Sequence, residues 1–148
     1  MNAVAFLNSI DISGSALTAQ RLRMDVISQN IANASTTRTA TGDPYRRRVA
    51  VFAERGGTSF QSYLDGATGA SAGGGVVVSA IATDMSDFKS EYDPDHPDAD
   101  ADGYVQYPNV DEVTELVDMM AATRAYEANV TALNATKNMA LKALEIGR

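Results

Sequence analysis

The chain has 148 residues, no cysteine, 45% apolar residues and a formal charge of −7. Without cysteine there is no disulfide, no thiolate nucleophile and no thiolate metal site. The negative balance argues against a general nucleic-acid binder, which draws its affinity from clustered Lys and Arg against phosphate. Much of the apolar fraction is alanine, which buries little area but favours helix, so this composition suits closely packed helices better than a thick interior.

Proline and glycine divide the chain into three parts, because all four prolines and nine of the eleven glycines lie between Gly42 and Pro108. The sequence therefore predicts an N-terminal helical arm over 1–40, a β-rich insert over 41–108 and a long C-terminal helix over 109–148. The N-terminal arm lacks the basic start and unbroken apolar run of a cleaved secretory signal. Its first positive residue is Arg21, and Asn8, Ser9 and Asp11 interrupt the apolar positions. No stretch approaches the roughly eighteen apolar residues of a membrane span.

From Ala5 to Asn33 one helical seam runs through Ile10, Leu17, Met24 and Ile31, and a second through Ile12, Ala19 and Val26. At 100° per residue the two lie about 160° apart, which predicts a helix wedged between neighbours rather than laid on one core. After Asn33 the run Ala34-Ser35-Thr36-Thr37 offers side-chain hydroxyls that compete for backbone hydrogen bonds, and the helix is expected to end there.

The insert reads as short strands. Tyr45 to Glu54 is one, closed by Gly56 and Gly57, and a small, flexible loop over 56–75 leads into the apolar strand Val76 to Ala82. Phe88 to Tyr92 alternates with the period of a half-exposed strand, and Tyr104 to Tyr107 is a shorter one of the same kind. Tyr45-Arg46-Arg47-Arg48 carries three cations, but a strand sends successive side chains to opposite faces, so they cannot all serve one phosphate site. His96 lies among prolines and aspartates and is expected to be a turn residue. No residue set suggests an enzyme, and no cofactor or metal is expected.

The sharpest local pattern is Asp98, Asp100, Asp102 and Gly103, which opens like the calcium loop of an EF-hand. Position twelve of such a loop should be glutamate and is Asn109, and no helix enters from Pro94 and Pro97. A calcium-responsive helical binding module using the loop 98–109 is the alternative function that this pattern raises.

From Asn109 the chain contains no proline and a single glycine, Gly147. One apolar column runs through Leu116, Thr123, Val130 and Leu144, and another through Met119, Tyr126, Leu133 and Ala140, together a heptad seam. Asn109 is the expected N-cap, with Glu112 reaching back as in a capping box. Asp111, Glu112 and Glu115 complement the helix dipole at that end, and Lys137, Lys142 and Arg148 at the other. A helix from Val110 to Ile146 would be roughly 55 Å long, too long to be covered by a compact domain of this size. Lys137 interrupts the first column between Val130 and Leu144 without an evident reason.

Several of these stretches together resemble the proximal-rod proteins of the bacterial flagellar basal body, most closely the FlgC type. Leu17-Thr18-Ala19-Gln20-Arg21-Leu22-Arg23-Met24-Asp25 followed by Asn30-Ile31-Ala32-Asn33-Ala34 is similar to the asparagine-rich pattern shared by rod and hook proteins, with Gln29 where its first paired asparagine usually stands. The FlgC type is indicated by Pro44-Tyr45-Arg46-Arg47, Tyr92-Asp93-Pro94, His96-Pro97-Asp98-Ala99-Asp100, Gly103-Tyr104-Val105, Pro108-Asn109-Val110 and Arg124-Ala125-Tyr126-Glu127-Ala128-Asn129. The resemblance implies an α+β structural subunit whose terminal helices form a coiled-coil-like inner tube on assembly, with the β-rich insert outside. It implies a subunit passed through the flagellar export apparatus without a cleaved signal peptide and polymerised with itself and other rod proteins in the periplasmic rod, where it transmits torque and lines the export channel. Assembly contacts are then expected at Ile10, Leu17, Met24, Asn30, Ile31 and Asn33 in the first arm, and at Leu116, Met119, Tyr126, Val130, Leu133 and Leu144 in the last.

Overall fold

A computed structural model of the chain describes residues 3–56 and 74–146. The order of elements is α1 (Ala3–Ala32), β1 (Arg48–Glu54), β2 (Val76–Thr83), β3 (Lys89–Tyr92), β4 (Tyr104–Tyr107) and α2 (Glu112–Ile146). Two long helices flank a small strand region, which is the α+β class expected. Most of the loop expected over 56–75 lies outside the described residues.

β1 and β2 pair antiparallel from Arg48 opposite Thr83 to Glu54 opposite Val76, with an irregularity between Val51 and Phe52. β3 and β4 pair antiparallel from Lys89 opposite Tyr107 to Tyr92 opposite Tyr104. The two ribbons are separate. A lone two-stranded ribbon is marginal in water unless something packs against it. For β1 and β2 that support is α1. Ser15, buried on α1, donates to Ile12 O at 2.7 Å and accepts from the Val76 amide at 3.1 Å, fastening the start of β2 to the helix. Gly75 precedes that contact with a φ of +94°, and a Cβ there would overlap the Ser15 hydroxyl. Only glycine satisfies both demands.

α1 packs against α2 and, on another face, against β1 and β2. The two seams of α1 are therefore covered only in part within the chain. Ala19 and Val26 of the second seam are buried, whereas Ile12 is exposed, and Ile10, Leu17, Met24 and Ile31 of the first seam are half-buried. The helices run antiparallel: Asn30 meets Glu115, Arg23 meets Asp118, and Met24 Sδ lies 3.7 Å from the Thr123 hydroxyl, which itself donates to Met119 O.

The seam of α2 is displaced by one residue from the apolar column. Glu115 and Ala122 are fully buried, Thr136 is buried and Asn129 half-buried, at seven-residue spacing. Leu116 is 53% exposed and Leu144 71% exposed, and Thr123 is exposed with them. Val130 in the same column is half-buried, as are Met119, Tyr126, Leu133 and Ala140. One residue is about 100° of helix, enough to turn a column from partner to solvent. Small side chains let the helices approach closely. Two polar members of the buried column are satisfied locally, since Asn129 Nδ2 donates to Ala125 O and the Thr136 hydroxyl to Ala132 O, both at 2.8 Å. Such back-bonding removes the usual cost of a polar group at a packed face.

α2 also begins later than expected. Asp111 Oδ1 accepts from the amides of Val113 at 3.0 Å and Thr114 at 3.2 Å, so Asp111 is the N-cap. Asn109 is spent elsewhere: its Oδ1 accepts from the Arg47 amide at 2.8 Å, and its Nδ2 donates to the Ser86 hydroxyl at 2.8 Å and to Asp84 O at 3.1 Å. The expected capping box at Asn109 and Glu112 is thus replaced by an asparagine that ties β1 to the approach to β3.

Candidate assembly surface and the polar junction behind it

The insert and both helices meet at Asn30. Its Nδ2 donates to Arg48 O at 2.8 Å and to Glu115 Oε2 at 3.0 Å, and its Oδ1 accepts from the Tyr45 hydroxyl and the Arg48 amide, both at 3.0 Å. An amide can donate twice and accept twice, and here every capacity is used. Burial of the phenol raises the pKa of Tyr45, Arg48 opposes the shift and Glu115 reinforces it.

Glu115 is the other centre of the junction. Arg47 Nε donates to Glu115 Oε1 at 2.6 Å, and Arg47 Nη2 reaches Asp118 Oδ2 at 3.3 Å. Asp118 Oδ1 accepts from Arg23 at 3.0 Å. Asp84 lies 3.9 Å from Arg47, and its carboxyl titrates below the ordinary range chiefly because the Ser86 amide and hydroxyl bond to it, with Arg47 and Arg46 assisting. A carboxylate as enclosed as Glu115 is tolerable only with a cation and further donors in place. Arg46 leaves the junction, stacking over Phe88 at 4.1 Å and donating to Ser86 O at 3.1 Å, and Arg48 lies 5.7 Å from the Tyr45 ring. The three cations thus go to different partners. Tyr45, Arg46 and Arg47 precede β1 rather than lying in it, because their polar groups bond to α1, α2 and the approach to β3 instead of to a ladder.

Of the expected assembly residues, Asn30 belongs to this internal junction. Asn33 closes the end of α1, its Nδ2 donating to Gln29 O at 2.8 Å and its Oδ1 accepting from Thr36 at 3.3 Å. Ile10, Leu17, Met24, Ile31, Met119, Tyr126, Val130 and Leu133 are half-buried, and Leu116 and Leu144 face outward. The outward side of α2 holds apolar residues that the sequence reading passed over: Val113, Val117, Met120 and Leu141 are all more than half exposed. Val113, Leu116, Val117 and Met120 have the i, i+3, i+4, i+7 spacing of one helix face, and that spacing was legible in the sequence. The Arg47 to Glu115 pair was not, because nothing local says that a glutamate in a first helical turn points inward.

The acidic loop is held by hydrogen bonds of its own. Asp98 accepts from the Thr37 hydroxyl at 2.8 Å and from Arg38 at 3.3 Å, and Asp100 Oδ1 accepts from the amides of Asp102 and Tyr104, both at 3.0 Å. Gly103, at φ +81°, completes the turn. His96 Nδ1 accepts from the Asp98 amide at 3.1 Å, as a turn residue does. Two of the three carboxylates of the calcium-like pattern, Asp98 and Asp100, thus accept from protein donors, and nothing found supports the calcium-responsive alternative.

Two family models match the chain: one described as flagella basal body rod protein over residues 10–38, and one described as flagellar basal body rod FlgEFG protein C-terminal over residues 101–146. The flagellar basal-body rod protein FlgC of Bacillus subtilis is 55% identical over 147 residues, covering 95% of this chain and 97% of the relative. The FlgC of Borreliella burgdorferi is 48% identical, covering 97% and 98% respectively. That of Escherichia coli O157:H7 is 44% identical, covering 98% of this chain and all of its own length.

Proposed function

The chain belongs to the FlgC family of flagellar basal-body rod proteins and is a structural rod subunit, and from that premise we propose that it assembles through the outward sides of its two long helices. In this reading 1–40 and 109–148 are the assembly arms and 41–108 the insert that contacts adjacent rod proteins. The subunit passes through the flagellar export apparatus without a cleaved signal, joins the rod in the periplasm, lines the export channel and carries torque by packing. Ile10, Leu17, Met24, Ile31, Asn33, Met119, Tyr126, Val130 and Leu133 act in the proposal by setting how α1 and α2 pack, and Leu116 and Leu144 by meeting neighbours.

The observation that carries this reading is the exposed apolar side of α2. Leaving a valine, leucine or methionine in water forgoes about 1.5–3 kcal/mol against full burial, so a row of such residues on one helix is a surface that gains stability by association. The residues held at the internal junction are polar and satisfied, which leaves the large apolar ones for partners.

The test is Met120→Asp, a change on the exposed face. The isolated variant is expected to keep the circular dichroism and melting temperature of the parent, while cells carrying it make no complete rod and do not swim. Full motility with Met120→Asp would overturn the proposal.

A further inference from the structure

The second ribbon of the insert carries an exposed aromatic pair. Tyr92 of β3 and Tyr104 of β4 are cross-strand partners, with ring centroids 5.3 Å apart at 67°. Tyr92 is 64% exposed and Tyr104 47%. Ser90 and Gln106, the next pair but one along the ribbon and so on the same face, are exposed as well. The opposite face holds the fully buried Val105. Tyr92 is held in place although it faces water: a Cβ added at Gly103, whose φ is +81°, would come within 2.9 Å of its Cε2, so the ring lies close over the glycine. A large ring already fixed in this way has little freedom left to lose on binding.

Beside the pair is an open cleft of about 380 Å³, lined by Tyr104, Gln106, Arg38, Asp43, Asp98 and Asp100 among others. That volume falls in the range of small-ligand sites, about 300–1,000 Å³, but the lining does not suit the usual apolar ligand. It includes no Val, Leu, Ile, Met or Phe among the described residues, so an apolar peptide side chain or a lipid chain finds no anchor. Three acids against one arginine disfavour phosphate, nucleic acid and acidic sugars. What the lining offers is planar polar groups: the Gln106 amide, which donates and accepts, the guanidinium of Arg38, whose side chain is 71% exposed, and the carboxylates. Asp98 and Asp100 are held for that use by the Thr37 hydroxyl and by the amides of Asp102 and Tyr104. The hydroxyls of an uncharged sugar match such groups, and its C–H face matches the electron-rich face of a tyrosine.

We propose that this cleft and the tyrosine pair beside it bind an uncharged oligosaccharide, one sugar ring stacked on Tyr92 and the next held in the cleft against Tyr104 and Gln106. The cleft shares no described lining residue with α2. Its occupancy is therefore independent of what covers the helices, and its failure leaves the rod-subunit reading untouched.

Isothermal titration of the isolated full-length chain with cellotetraose and with tetra-N-acetylchitotetraose, both uncharged, is expected to give a Kd of about 1 mM or tighter for at least one of them. Tyr92→Ala and Gln106→Ala are each expected to weaken that binding at least tenfold at an unchanged melting temperature, whereas Tyr92→Phe, which keeps the ring, retains it. Failure of both tetrasaccharides to bind would overturn the proposal, as would undiminished binding by the two alanine variants. Tighter binding of tetragalacturonate, an acidic tetramer, would contradict the uncharged class. The rival occupant is a protein neighbour, and the absence of native cysteine allows a direct check. Ser90→Cys, labelled with a photoactivated cross-linker in isolated basal bodies, is expected to give no protein adduct. A protein adduct there would assign the face to that neighbour and end the oligosaccharide reading.

Discussion

Arg47 and Glu115, 68 positions apart in the chain, meet through a 2.6 Å hydrogen bond from Nε to Oε1, and that bond joins the insert to the C-terminal helix. The Glu115 side chain is 1% exposed and that of Arg47 25%. The partners are unequal in what else they can reach. Arg47 also has Asp118 and Asp84, whereas among the described residues the Glu115 carboxylate has only Asn30 besides Arg47.

Removing the arginine should therefore cost more than removing the glutamate. Arg47→Ala strands a carboxylate in a water-poor site and is expected to cost about 3–4 kcal/mol, against about 2 kcal/mol for Glu115→Ala, which leaves a cation with two other acids. Arg47→Met combined with Glu115→Leu should cost less than the sum of the single changes. Urea unfolding of the isolated chain gives the comparison, and a reversed order would contradict the assignment of Glu115 as the enclosed partner.

Asn30→Asp tests the polarity of the junction. The substitution keeps the shape but replaces the Nδ2 donor with an oxygen facing Arg48 O and Glu115 Oε2, so two hydrogen bonds become repulsions. A loss of about 2–3 kcal/mol at neutral pH is expected. Because protonation of the new carboxyl restores a donor, part of that loss should return on acidification. A variant as stable as the parent at neutral pH would show that the amide orientation is reversed.

Tyr45 gives a pH dependence of opposite range. Its folded-state pKa is raised by burial above the ordinary value of about 10. The folded state thus binds the phenolic proton more tightly than the unfolded chain. The resulting stability is fully present below about pH 10 and is lost as pH rises through the higher folded value. Melting curves of the parent should fall more steeply above about pH 10 than those of Tyr45→Phe, which lacks the titrating group, although Tyr45→Phe is less stable at neutral pH for want of the bond to Asn30. Parallel curves would remove Tyr45 from the junction.

Gly42 and Gly75 share a φ of +94° but differ in surroundings. Among the described residues nothing lies within 4 Å of a Cβ at Gly42, whereas one at Gly75 meets Ser15. Gly42→Ala should cost only the left-handed backbone, about 1 kcal/mol, and Gly75→Ala that cost together with the displacement of Ser15 from the Val76 amide, about 3 kcal/mol in all. Thermal unfolding separates them. Equal losses would mean that α1 and β2 are not fastened at Ser15.

The two long helices and the strands between them were legible in the sequence. These follow from local chemistry: proline and glycine break helices, alanine-rich heptads extend them, and alternation marks strands. The stretches Leu17 to Ala34 and Arg124 to Asn129 also pointed to the family. Which side of α2 is inside depends on contacts between residues far apart in the chain. Ranking positions by hydrophobicity chose Leu116 and Leu144, but the buried column is Glu115, Ala122, Asn129 and Thr136, where small size and satisfied polarity matter more than apolar area. For Glu115 that satisfaction comes from Arg47 and Asn30, residues distant in sequence and brought together only by folding. The same displacement leaves Leu116 and Leu144 facing outward, where a subunit of a rod has neighbours to meet.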